Sequence, residues 1–287
     1  MKEFNWMTVA ADSDRGLVRK ENEDSYAVLP EDGCCIVSDG MGGGAAGEIA
    51  SQIIVEYLSD AIAGTAPDSP GSRKYAIQQA IHGANRKIRE YAKSHRYSQM
   101  GATLALILLD SWRPGHGLLC HIGDSRIYRF RQGELTLLTR DHTVGCELAA
   151  SLNKAGKTAA AASLDDHTAS PISHVLTRSI GIADYVLPEW EETELLPDDV
   201  IMVCSDGITT MLRDEEIQQV FRNTTTLDDK IAALTAEVRK AGAKDNYTVA
   251  LCQIASELPE PETPSEEEIK ENDYLLKISE ERFDHAQ

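Results

Sequence analysis

The stretch IVSDGMGGGAAGE, Ile36–Glu48, closes an apolar run on an aspartate and follows it with a burst of glycine. It reads as a phosphate cradle, as a turn or as part of a metal site, and each reading builds a different fold. The cradle has a formal match, because Gly42, Gly44 and Gly47 satisfy G-x-G-x-x-G between a strand-like run, Cys34–Ser38, and a helix-like one. Asp60 even stands near the ribose-binding spacing. Two features oppose it. The helical pattern runs into GTAPDSPGS and then into a second helical pattern, where a dinucleotide fold needs a second parallel strand. Asp39 would also place a carboxylate beside the pyrophosphate, where a helix N-terminus normally offers bare N–H groups.

Working outward, IVSDGM at 36–41 is echoed by VCSDGI at 203–208, and HIGDS (121–125) and AKDNYTVA (243–250) add two more aspartates beside apolar strands. Asp39, Asp124, Asp206 and Asp245 thus mark four strand ends. One Asp-Gly is ordinarily a turn. Four converging on one rim would repel by roughly 4 kcal/mol per pair at about 4 Å and an effective dielectric of about 20, a penalty on the scale of a domain's whole stability. Convergence therefore requires cations. Oxygen ligands with no His or Cys beside them suit a hard octahedral ion, Mg2+ or Mn2+, better than zinc. Gly40 would let its carbonyl approach such an ion with no side chain in the way. In DRGLVRKENEDSY (14–26), Arg15, Arg19 and Lys20 crowd against Glu21, Glu23 and Asp24. By itself this is an exposed charge run. Beside a metal site that handles phosphate, one guanidinium there is suited to hold two phosphate oxygens.

The chain has 287 residues, 42% hydrophobic and 26% charged, enough for one large domain or two small ones. Its formal charge of −19 repels nucleic acid and anionic lipid, which excludes both as expected partners. Six cysteines, at 34, 35, 120, 146, 204 and 252, show no C-x-x-C spacing and are expected to be reduced in the cytoplasm. No apolar run approaches a membrane span, and the N-terminus carries no signal-like apolar stretch.

Short strands are expected at 6–12, 25–29 and 33–38, helices at 47–63 and 73–93, then a meander of four strands over 103–141. Residues 144–175, rich in Ala and Ser, are expected to be a mobile surface segment. Helices at about 214–221 and 227–241 and a strand over 246–254 complete an α+β domain of antiparallel sheets covered by paired helices. Residues 257–287 hold eleven acidic residues against Lys270, Lys277 and Arg282. The domain is set at 1–255, and 256–287 is expected to be a disordered acidic tail with one short helix near YLLKI at most.

Seven segments in order, RGLVRKENEDSYAV, VSDGMGGGAAGE, MGATLALI, HIGDSRIYRFRQGELTLLTRDHT, HVLTRSIG, VCSDGITTML and KDNYTVALCQI, resemble the motifs of the bacterial PPM/PP2C metal-dependent serine/threonine protein phosphatases. The resemblance covers roughly residues 6–254. It implies a four-layer α-β-β-α sandwich with the metal centre at one edge of the sheets. It implies that Asp39 bridges two Mn2+ or Mg2+ ions, that the Gly40 carbonyl binds the second, and that Asp206 and Asp245 hold the first. Glu23 and Asp24 would hold metal-bound waters, Arg19 would grip the substrate phosphate, and Asp124 would hold a third ion that it shares with Asp206. A hydroxide bridging the metals would attack phosphorus in line with the departing Ser or Thr oxygen. Phosphorylated proteins are the implied partners, with a Hanks-type kinase or its targets among them, and the chain is taken as a monomer. Residues 144–175 fall where the family has its substrate-influencing flap. The family's histidine after the bridging Asp-Gly or in the glycine run is replaced by Met41 and Gly44, so a phosphoprotein-binding pseudophosphatase is the alternative. His121, inside a strand, is read as a core histidine.

Overall fold

The computed structural model describes residues 6–42, 45–64, 69–154, 173–261 and 264–284. Strands β1 (Met7–Asp14), β2 (Asp24–Leu29) and β3 (Cys34–Met41) lead into helices α1 (Ala45–Gly64) and α2 (Pro70–His95). Next come β4 (Gly101–Ala102), β5 (Leu104–Leu109), β6 (His116–Ile122), β7 (Arg126–Arg131), β8 (Glu134–Leu137) and α3 (Val144–Lys154). The remainder is β9 (Glu189–Glu194), β10 (Val200–Cys204), α4 (Asp206–Thr209), α5 (Asp214–Asn223), α6 (Leu227–Lys240), β11 (Tyr247–Ile254) and α7 (Glu266–Asp284). One sheet has the order β1-β11-β10-β7-β8 and the other β2-β3-β5-β6-β9, with β4 paired to β3, and the ladders are antiparallel. β1 pairs with β11 along its whole length, Met7 opposite Ile254 and Asp14 opposite Tyr247.

Side-chain alternation explains the layers. Successive residues of a strand face opposite sides, so a strand buried on both faces reads as an unbroken apolar run. In β5, Leu104, Leu106 and Leu108 join the core under α1 and α2, while Ala105, Ile107 and Leu109 join the core between the sheets. In β10, Val200, Met202 and Cys204 face the core under α5 and α6, while Ile201 and Val203 face the other sheet. Ile217, Phe221, Leu227, Ile231, Leu234 and Val238 of α5 and α6 close the outer side of that sheet. The result is helices, sheet, sheet, helices.

Three expectations need correction. The four runs over 103–141 are not one meander: β5 and β6 pair in one sheet, β7 and β8 in the other, and the chain crosses between sheets at Gly123–Ser125. The segment from 144 opens with a helix, α3, which buries only Gly145 and Ala149; residues 155–172 of the flap lie outside the described residues. The tail expected to be disordered carries the nineteen-residue helix α7, latched to α2 where the Gly71 N–H donates to Asn272 Oδ1 at 2.7 Å. Among the described residues no helix is long and apolar enough to cross a membrane.

Candidate metal centre

Strand ends from both sheets meet at one edge. Asp39, near the end of β3, pairs across the ladder with Asp24, the first residue of β2. Asp206 opens α4 directly after β10, Asp245 stands just before β11, and Asp124 sits at the crossing between sheets. Thr103 ties two of these ends together. Its N–H donates to the Asp39 carbonyl at 2.9 Å, its Oγ1 accepts from the Asp39 N–H at 2.9 Å, and the same Oγ1 lies 2.7 Å from Ser125 Oγ. The serines of the two Ser-Asp-Gly motifs act as clamps. Ser38 Oγ donates to the Thr103 carbonyl at 2.7 Å, and Ser205 Oγ donates to Asp24 Oδ2 at 2.7 Å, where Thr248 Oγ1 donates as well at 2.7 Å.

The carboxylates lie within one another's field. Burial raises Asp39 well above the usual carboxylate range, and the charges of Asp24, Asp206 and Asp124 add to it. Burial and Asp206 push Asp124 up to about 8, and burial pushes Asp24 up to about 7 against the hydrogen bonds from Ser205 and Thr248. Asp206 is raised by burial and by Asp245, while a hydrogen bond with Asp39 and the charges of Arg19 and His174 pull the other way. Such a cluster is electrostatically frustrated without cations.

The donor set fits hard divalent ions. It is all oxygen, and Asp24 Oδ1 is buried with no hydrogen-bond partner in the protein, an orphan acceptor that an ion or an ion's water would satisfy. The aspartates are gathered but not closed. Among the described residues, the one trio of His, Cys, Asp or Glu with ligand atoms all within 4.8 Å of one another is His121, His142 and Glu189.

Arg19 reaches this edge on an exposed loop and donates from Nη2 to Asp245 Oδ2 at 2.6 Å. The loop is held by Asn246, a residue that sequence reasoning passed over. Its Oδ1 accepts from the Glu23 N–H at 2.9 Å, and its Nδ2 donates to the carbonyls of Arg15 (2.9 Å) and Glu21 (2.8 Å). Its position directly after Asp245 in KDNY was the available signal. Glu23, half-buried, is raised by burial. Gly40 is explained by packing before any metal: a Cβ there would lie 2.2 Å from the Gly47 carbonyl oxygen and 2.5 Å from that of Glu23. Gly44 lies outside the described residues.

Beside the carboxylates opens a cavity of about 500 Å3, lined among others by Asp124, Asp206, Arg140, Arg213, Asp214 and His174. His174 was not singled out from the sequence, although it opens the quoted motif HVLTRSIG. His121 is buried and stacks on His142, ring centres 4.5 Å apart.

The sequence profile described as Protein phosphatase 2C matches residues 18–251. The chain is 32% identical over 255 residues to protein phosphatase PhpP of Streptococcus pneumoniae, covering 88% of this chain and 99% of that protein. A solved Streptococcus agalactiae serine/threonine phosphatase superposes with a TM-score of 0.77 at 33% identity, covering 87% of this chain and 100% of that one. The catalytic domain of the serine threonine protein phosphatase PstP, in complex with 2 manganese ions, superposes with a TM-score of 0.71 at 29% identity, covering 87% and 98%.

Proposed function

Since the chain belongs to the protein phosphatase 2C family of serine/threonine protein phosphatases, we propose that it hydrolyses phosphoserine and phosphothreonine on proteins with Mn2+ or Mg2+ held by Asp39, Gly40, Asp206 and Asp245. Asp124 would share a third ion with Asp206, and Glu23 and Asp24 would orient the ions' waters. The observation that carries this reading is the gathering of raised carboxylates from both sheets around Asp39 and Asp206, beside a guanidinium. The two manganese ions in the PstP structure support the choice of ion.

When bound, the ions would lower the pKa of water and neutralise charge on the phosphoryl group. The chain's own residues do the rest. Arg19 commits one donor to Asp245, which orients its planar fork across the rim, where two phosphate oxygens can accept from it. The Thr103, Ser38 and Ser205 bonds hold Asp39 and Asp24 in place before substrate arrives, so little reorganisation remains for the transition state. We read the chain as a cytoplasmic monomer opposing a Hanks-type kinase, a reading supported by its cysteine pattern and its family.

Hydrolysis of a phosphothreonine peptide with Mn2+, then with EDTA, is the test. Turnover that stops on chelation and returns with Mn2+ is expected. Activity that survives chelation would overturn the reading, and tight phosphopeptide binding without phosphate release would replace it with a non-catalytic binder.

A further inference from the structure

The segment TRDHT, 139–143, follows β8, and the phosphatase reading leaves its histidine without a task. His142 is buried, and it clasps the residue before Asp124 in both directions. Its N–H donates to the Gly123 carbonyl at 2.9 Å, and the Gly123 N–H donates to His142 Nδ1 at 3.1 Å. Because Nδ1 accepts, the neutral ring carries its proton on Nε2, which lies 2.9 Å from Glu189 Oε2. Arg178 Nη1 stands 3.7 Å from the same oxygen. Burial lowers the His142 pKa and so favours that neutral ring.

His121, His142 and Glu189 have the ligand types of a zinc site. Two observations argue against one. An ion on His142 Nε2 would need the lone pair that the Gly123 bond assigns to a proton, and Arg178 Nη1 already sits 3.2 Å from that nitrogen. His121 Nε2 is engaged with the Arg140 carbonyl at 2.9 Å.

The clasped turn is held as well by the contact of Ser125 Oγ with Thr103 Oγ1 at 2.7 Å, and it lies outside the strand ladders. Residues 123–125 fall in the gap between ladders, after Ile122 opposite Leu104 and before Arg126 opposite Cys204. Gly123 has φ +101°, and a Cβ there would lie 2.7 Å from Thr103 Cγ2, so the turn is both tight and left-handed. The like charge of Asp206 acts against ionisation of Asp124.

We propose that His142, oriented by Glu189, is a positioning residue that fixes the Gly123–Asp124 turn and so sets the affinity of the ion held by Asp124. Outer partners that orient metal ligands by hydrogen bonds act this way, and their loss commonly weakens metal binding about 10- to 100-fold. This inference rests on the reading of Asp124 as a metal carboxylate. It also makes the segment after the flap, through Arg178, and β9, through Glu189, determinants of that ion's occupancy.

The test is a Mn2+ titration of the full chain, read as free Mn2+ by electron paramagnetic resonance, with a thermal melt of each variant. His142→Phe keeps a ring against His121 but offers Gly123 no acceptor; it is expected to weaken the Mn2+ site that Asp124→Asn removes about 10-fold or more and to spare the others. His142→Asn, whose Oδ1 falls near the position of Nδ1, is expected to restore most of that affinity. Glu189→Leu, at a half-exposed position, is expected to weaken the same site, and it serves should His142→Phe fail to fold. Unchanged affinity in His142→Phe, or in Glu189→Leu where that variant stands in, overturns the inference; so does equal weakening of every site together with a lowered Tm. If Asp124→Asn keeps the full Mn2+ count, the reading of Asp124 itself fails and this inference falls with it.

Discussion

At the scale of single residues, buried like charges decide the behaviour. Asp206→Asn removes a proposed ligand and also one charge from the cluster around Asp39. Turnover should fall by at least about 100-fold, more than a supporting residue costs, while the melting temperature in EDTA should hold or rise. A drop in that temperature would mean that the carboxylates do not repel. The pH dependence follows from the same shifts. Asp24 and Asp124 titrate near 7 and 8 in the folded chain, above an unfolded value of about 4. Their contribution to metal-free stability is therefore complete below about pH 4 and is lost as pH rises through 7 to 8. Mn2+ competes with those protons, so the Mn2+-induced rise in Tm should be larger at about pH 8.5 than at about pH 6. Melts at the two pH values, with and without Mn2+, check both statements. The aspartates were legible in the sequence because each follows or precedes an apolar run. Their clamps were not: Ser38 bonds to a residue 65 positions away and Ser205 to one 181 positions away, which no local pattern displays.

Elements were legible where both faces of a strand or one stripe of a helix is apolar. β3, β5, β10 and β11 are buried throughout or nearly so and read plainly. β9 escaped because EWEETE is an edge strand that buries a single residue, Thr193, and so offers no apolar run. α3 buries only a glycine and an alanine, too small to mark a stripe. α7 escaped for a different reason: its acidic composition resembles a solvated tail, while its hold on α2 includes a polar latch, Asn272 on the Gly71 N–H, that no apolar pattern marks. Asn272→Ala leaves the Gly71 N–H without its acceptor, which should cost about 1 kcal/mol and lower Tm by about 2–4 °C. Activity should be unchanged, because the α2 start lies beside Asp32 and Leu109, through Arg73, at the opposite end of β3 from Asp39. Differential scanning calorimetry and a phosphopeptide assay on the same sample decide it.

For the molecule as a whole, the net charge of −19 should select among substrates before contact. Rates on a phosphopeptide flanked by Lys and Arg should exceed those on an acidic one at low salt, and the gap should narrow as salt rises to about 0.15 M, where screening acts over about 8 Å. Equal salt dependence for the two peptides would remove steering from the account. The layered architecture could be read from the order of apolar runs; the pairing of first strand with last could not, since nothing local in either announces the other. That pairing has a cellular consequence. Met7 cannot pair until Ile254 has been made, nor Arg19 until Asp245 has. A chain still growing on the ribosome therefore lacks its reactive rim, and no half-made copy can strip phosphate from the proteins around it.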